Sequence, residues 1–227
     1  MTMAREEIIE KGVMAALELA ADRPWSALTL SDIAAASGLS LTDFHGIASV
    51  ESLAEAVEAH FDKAMSSEGI DAEETPRERL FDVIMLRFEA MEAHRQGVLS
   101  LMKYREASPL RLAKLLVARK ASADWALVSA GLDGSDQAVP RDVRAVAIAY
   151  AMAQAERAWR KETDPGFART MSKLDEELRK LEDSAGRFSR FTGRRGAKKP
   201  QGEGEAWSDE PPASHDAPDD AEPAPQG

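Results

Sequence analysis

An all-α fold of about nine helices is what this chain of 227 residues predicts. Three observations carry the prediction. Apolar residues recur at intervals of three and four through most of the chain, runs of alternating β-branched or aromatic residues are missing, and capping signals mark several helix starts. The length suffices for one or two domains with a sizeable core.

Residues 3–22 place Ile8, Ile9, Val13, Ala16, Leu17 and Ala20 on one face of a first helix. Leu28 to His45 then reads as two short helices joined by a glycine-centred turn. Thr29 caps the first, whose small apolar face is Ile33 and the alanines, and Gly38 takes the positive φ that ends it. Ser40 starts the second, with Asp43 three residues on, close to a capping box. This is the spacing of a helix-turn-helix, and equally of an ordinary helical corner in an all-α core.

A fourth helix is expected from about Ser49 to Met65, burying Leu53, Val57 and Phe61. Thr75-Pro76-Arg77-Glu78 combines a cap, a proline at the first helical position and a capping-box glutamate; the helix it opens carries Leu80, Phe81, Ile84, Phe88 and Met91. Gln96 to Arg105 continues helically. Ser108-Pro109 starts a long helix through Leu112, Leu115, Leu116, Trp125 and Val128, closed by Gly131 and Gly134. A further helix runs from Val139-Pro140-Arg141 to Trp159, and Asp164-Pro165 is expected to cap and start the last, with Phe167, Met171, Leu174, Leu178 and Leu181 following.

These last two helices are alanine-rich and adjacent, which suits either a four-helix dimer interface or closure of the monomer core. The expected interface residues are Val143, Val146, Ala147, Tyr150, Leu174 and Leu178.

From Gly186 the composition changes. Residues 187–199 hold Arg187, Arg190, Arg194, Arg195, Lys198 and Lys199 with no acid, and residues 200–227 hold eight acids, no base and many prolines and glycines. The second half is expected to be disordered. The basic half, residues 187–199, is interleaved with Phe188 and Phe191 and is either a solvated extension or a contact for an anionic surface such as a membrane or nucleic acid. The expected organisation is a helix-turn-helix unit over 1–48, a helical ligand-binding and dimerisation domain over 49–185, and a tail over 186–227.

Composition excludes several function classes. The chain has no cysteine, so it has no disulfide, thiol nucleophile or thiolate metal site. No run approaches the roughly 20 apolar residues of a membrane span, and the N-terminus lacks the order of a signal peptide, which predicts a soluble, cytoplasmic protein. There is no glycine-rich phosphate loop and no nucleophile motif, and the histidines at 45, 60, 94 and 215 are scattered. No catalysis, cofactor or metal is expected.

The first helix, Leu28-Thr29-Leu30-Ser31-Asp32-Ile33-Ala34 leading to Gly38-Leu39-Ser40, and the following helix with Leu53 near its start resemble the TetR family of transcriptional regulators. Arg77-Glu78-Arg79-Leu80-Phe81-Asp82 through Phe88 is similar to the opening of the ligand domain in some proteobacterial members. Trp159, Asp164-Pro165-Gly166-Phe167 and Thr170-Met171 through Leu174-Asp175 to Leu178 resemble their C-terminal pattern. That pattern also occurs in the lipid-binding accessory proteins of ubiquinone biosynthesis, which have a TetR-like fold.

The resemblance implies a homodimer whose N-terminal three-helix unit binds an operator while a larger helical domain receives a small apolar ligand. It places the recognition helix at Leu39 to Ile47, with Thr29, Ser40, Thr42 and His45 as the DNA-contacting residues. The family's phosphate-contacting Tyr at the end of that helix is replaced by His45, and the Lys at the start of the next is missing from Gly46-Ile47-Ala48-Ser49-Val50-Glu51. The expected ligand pocket draws on Met85, Phe88, Met102, Tyr104, Trp125, Met152 and Trp159, with Met91 nearby, soft and aromatic side chains that serve equally as plain core.

Charge sets a conflict inside this picture. Residues 1–65 hold four bases against eleven acids, a net charge of −7. Phosphate neutralisation supplies nearly all non-specific DNA affinity, and none of Ser40, Thr42 and His45 makes the bidentate Arg-to-guanine contact. Two functions are therefore expected as alternatives: a TetR-like regulator whose DNA binding is weakened by an acidic reading head, or a TetR-fold protein that has left DNA and binds a lipid, an isoprenoid or a partner.

Overall fold

The computed structural model describes residues 4–134 and 139–196. Among them are nine α-helices and no strand: α1 (Arg5–Asp22), α2 (Leu30–Ser37), α3 (Leu41–Phe44), α4 (Val50–Asp62), α5 (Pro76–Glu92), α6 (Arg95–Glu106), α7 (Pro109–Ser129), α8 (Arg141–Trp159) and α9 (Ala168–Gly196). Short 3₁₀ turns at Trp25–Ala27 and Lys63–Ser66 link α1 to α2 and α4 to α5. None of the described helices is long and apolar enough to cross a membrane.

Three of the expected start signals act as read. Thr29, Ser40 and Thr75 each cap a helix, and each forms a full capping box with the acid three residues on: Asp32, Asp43 and Glu78. A fourth box, Ser49 with Ser52, opens α4. Gly38 and Gly131 adopt positive φ, 69° and 65°, and end α2 and α7. Two expectations are corrected. The helix of residues 39–47 is only the four-residue α3, because Gly46 at φ 72° turns the chain immediately after it. Asp164-Pro165 does not start α9: it forms a turn in which Asp164 Oδ1 accepts from Gly166 N–H (3.1 Å), and Phe167 follows at φ 56°.

The cap of α9 comes from Glu162 instead. Its Oε2 accepts from the N–H groups of Arg169 (2.9 Å) and Thr170 (3.0 Å), and its Oε1 from those of Thr163 and Asp164. One carboxylate thus satisfies the donors of the loop and of the first turn, and although burial opposes it, these hydrogen bonds hold its pKa below the usual carboxylate range. α9 then runs through Gly196, ten residues past the expected boundary at Gly186. Lys198, Lys199 and the acidic segment lie outside the described residues.

Two glycines set the closest approaches. A Cβ on Gly12 of α1 would lie 2.9 Å from Phe44 and 3.0 Å from Leu53, so the bare backbone lets α3 and α4 close over α1. On Gly97 a Cβ would lie 2.9 Å from the Leu17 carbonyl carbon and nearer still to its oxygen, so α6 rests directly on the α1 backbone.

At the centre, four helices meet on a charge. Glu58 of α4 is buried and ion-paired to Arg87 of α5 and Arg105 of α6. Arg105 also donates to the Ala54 carbonyl (2.5 Å), and Arg87 Nε to Asp62 Oδ1 (2.9 Å), whose other oxygen accepts from the Ser122 hydroxyl of α7 (2.7 Å). Burial pushes the Glu58 carboxyl up, but the two guanidinium groups outweigh it and hold it at about 2. At Asp62 burial wins and its pKa is raised.

Removing Glu58 strands two buried cations, so Glu58→Ala should cost about 3–5 kcal/mol in urea unfolding. Because its folded pKa lies below the unfolded value near 4.5, the stability Glu58 contributes is complete above pH about 4.5 and is lost as pH falls toward about 2. Urea midpoints across that window should therefore fall less steeply in Glu58→Gln than in the parent. Gly97→Ala, which forces α1 and α6 apart, should lose about 3 kcal/mol, the upper end of overpacking costs, and the thermal midpoint reads it.

Candidate nucleic-acid interface and cavities

The α2–turn–α3 unit is built by its caps. The Thr29 N–H and hydroxyl both donate to Asp32 Oδ2 (3.1 and 2.7 Å), while the Asp32 N–H donates back to Thr29 Oγ1 (3.2 Å). Ser40 and Asp43 repeat the pattern at 2.8, 2.7 and 3.3 Å. Phe44 and Ile33 are fully buried and pin both helices to α1. These hydrogen bonds also lower the pKa of Asp32 and Asp43, chiefly through Thr29 and Ser40 respectively, so both helix starts carry a fixed negative charge. Positive helix ends that could have met phosphate are already met by carboxylates.

Of the expected DNA-contacting residues, Thr29 and Ser40 have their hydroxyls committed to caps, and Thr42 and His45 are exposed on and just after α3. Leu41, beside them, is exposed too. With four residues α3 spans about 6 Å. Three of the four bases of residues 1–65 are ion-paired within that stretch: Lys11 to Glu7 (3.1 Å), Arg23 to Asp32 (3.3 Å) and Lys63 to Glu10. His60 Nδ1 lies 2.8 Å from the same Glu10. The unit thus has helix-turn-helix geometry with its cations largely neutralised.

The expected ligand-pocket residues are not brought together around a cavity. Met85, Phe88, Met102, Met152 and Trp159 are buried in the common core. Trp159 is fixed there: its Nε1–H donates to Glu92 (2.8 Å), and the Arg95 guanidinium lies 4.7 Å over its ring. Trp125 is exposed on α7. Tyr104 is half-buried and lines two clefts, one of about 440 Å³ against the end of α1 and one of about 340 Å³ between α4 and α7.

A larger apolar groove of about 650 Å³ lies elsewhere, between α5, the end of α7, α8 and α9. Leu80, Leu127, Leu132, Ile148, Leu178 and Leu181 form its walls. None of these was expected as a pocket residue: Leu80, Leu127, Ile148 and Leu181 read in the sequence as further apolar positions of their helices, Leu132 falls in the loop after α7, and Leu178 was expected at a dimer interface. The expected dimer residues separate into two groups. Val143, Val146 and Tyr150 are exposed on α8 and Ala147 is half-buried, whereas Leu174 and Leu178 are buried beneath α8, because α9 packs its apolar face on its own monomer.

Among the described residues no group of three or more His, Asp or Glu side chains is placed to hold a metal ion. Ser40→Ala should remove the α3 cap at a cost of about 1 kcal/mol in chemical denaturation and return the Asp43 carboxyl toward its ordinary titration range by NMR.

No family model and no curated protein matches the chain. Several solved structures do, two of them as follows. A TetR transcriptional regulator from Nitrosomonas europaea is similar over 75% of this chain and 95% of its own, with 20% identity and a TM-score of 0.60. A TetR-family transcriptional regulator from Streptomyces coelicolor is similar over 86% and 87%, again with 20% identity, and a TM-score of 0.53. At that identity the likeness establishes the fold, and the chain has the all-helical fold of TetR-family transcriptional regulators.

Proposed function

We propose that this chain is a cytoplasmic, dimeric TetR-like regulator that responds to a small apolar ligand and contacts DNA weakly through α2 and α3. The observation that carries the reading is the complete, doubly capped helix-turn-helix at the end of a TetR-like fold, with Thr42 exposed on its second helix and His45 exposed just after it. The apolar groove between α5, α8 and α9 supplies a place for the ligand. Few free cations mean few released counterions, so affinity should be modest with a shallow salt dependence.

An electrophoretic shift with the chain's own upstream region should give a sequence-dependent complex at about 50 mM salt, where electrostatic attraction is strong, weakened by Thr42→Ala with His45→Ala. Absence of any complex with genomic fragments at that salt sinks the reading.

A second reading is favoured by the paired cations and the single-turn α3: the fold has left DNA and binds a lipid, an isoprenoid or a partner. Lipid co-purifying in native mass spectrometry supports it, together with binding to anionic vesicles that falls when Arg187, Phe188, Phe191 and Arg194 are substituted. A lipid-free protein indifferent to such vesicles counts against it.

A further inference from the structure

The cleft between the end of α1 and α6, about 440 Å³, lies apart from the apolar groove and is of a size that holds a small molecule. Ala20, Pro24, Leu99 and Tyr104 give it apolar walls. Its polar lining includes Asp22, Ser100 and Lys103.

Trp25 is the group that points to a ligand. It lines the cleft and is only 1% exposed, yet its indole Nε1–H meets no acceptor among the described residues. A buried indole N–H ordinarily finds a partner, because otherwise it loses its hydration without compensation. Trp159, equally buried, shows the ordinary outcome, with its Nε1–H donated to Glu92 (2.8 Å). The hydroxyl beside Trp25 is committed elsewhere: Ser100 Oγ accepts from the Trp25 backbone N–H (2.9 Å) and donates to the Arg23 carbonyl (3.4 Å).

Charge narrows the chemistry of the ligand. Lys103 is exposed on α6 and has no ion-pair partner among the described residues, so its ammonium group and the Trp25 indole are two available donors. Together they suit a carboxylate. The end of α1 offers the opposite sign. Pro24 has no N–H and the Trp25 N–H is taken by Ser100, so the carbonyls of Ala20 and Ala21 gain no helix partner. Asp22, exposed and unpaired among the described residues, adds its charge to this negative helix end, which suits an ammonium group. Arg23 also lines the cleft, but its guanidinium is paired with Asp32 (3.3 Å).

A simple anion here meets Asp22, and a simple cation meets Lys103; a molecule carrying both charges satisfies both. We infer that the cleft between α1 and α6 binds a small free amino acid with an apolar side chain. Its carboxylate takes the Trp25 indole N–H and Lys103, and its ammonium group lies toward Asp22. The site is separate from the groove proposed for the apolar ligand and does not depend on whether the chain contacts DNA.

NMR titration of the full chain, isotope-labelled at its tryptophans, tests the site, with the Trp25 indole signal identified by its loss in Trp25→Phe. Phenylalanine and leucine should shift that signal downfield and saturate by about 10 mM. Phenylpropionate and phenethylamine, each lacking one of the two charges, should bind about tenfold or more weakly than phenylalanine. Lys103→Met and Asp22→Asn, both at exposed positions, should each weaken phenylalanine by about the same factor and leave the thermal midpoint in place. A Trp25 signal that neither amino acid moves overturns the site. Equal affinity for phenylalanine and its two singly charged analogues, or binding indifferent to both substitutions, overturns the amino-acid assignment.

Discussion

Glu58 occupies a position where α4 otherwise buries Leu53, Ala54, Val57 and Phe61, and the arrangement of the remaining helices follows from the need to satisfy it. A carboxylate removed from water costs several kcal/mol unless its lone pairs and charge are met. Arg87 and Arg105 meet them, and their own remaining donors are taken by Asp62, Met91 and the Ala54 carbonyl. The solution requires α5 and α6 at fixed distance from α4, and Ser122 brings α7 to the same place. Such a network is weak evidence for added stability over an apolar core, but it accepts only one register of the four helices.

This has a consequence for the N-terminal unit. α4 packs on α1 on one side and on α7 on the other, and its C-terminal half is held by the ion network, so the helix-turn-helix and the larger helical body share a rigid element. Gly97 adds a second tie by letting α6 lie on the α1 backbone. α5 and α6 are thereby tied to the element that positions α2 and α3.

The same logic separates α8 from α9. α9 spends its apolar residues Leu174 and Leu178 on α8 and covers its outer face with intrahelical ion pairs. α8 spends alanines and Ile148 inward and keeps valines and a tyrosine outward. A glance at composition makes the two helices equivalent, yet among the described residues α8 leaves three large apolar side chains exposed, Val143, Val146 and Tyr150, where α9 leaves Met171.

Sequence alone determined the all-helical class, the caps at Thr29, Ser40 and Thr75, and the glycine ends of α2 and α7, because caps and left-handed turns depend on residues three or four apart. The buried ion network was not expected from the sequence, although Glu58 lies three residues before Phe61, Arg87 falls at helical spacing between Ile84 and Met91, and Arg105 lies four residues after Leu101. Only tertiary structure decided that these three charges share one site. It also decided that Glu162 rather than Asp164 caps α9, that Met85 and Phe88 fill the core while Leu80 and Leu181 line a groove, and that Leu174 faces inward while Val146 faces water. Each depends on which helix packs over which face, and periodicity along one helix marks an apolar side without saying what will cover it.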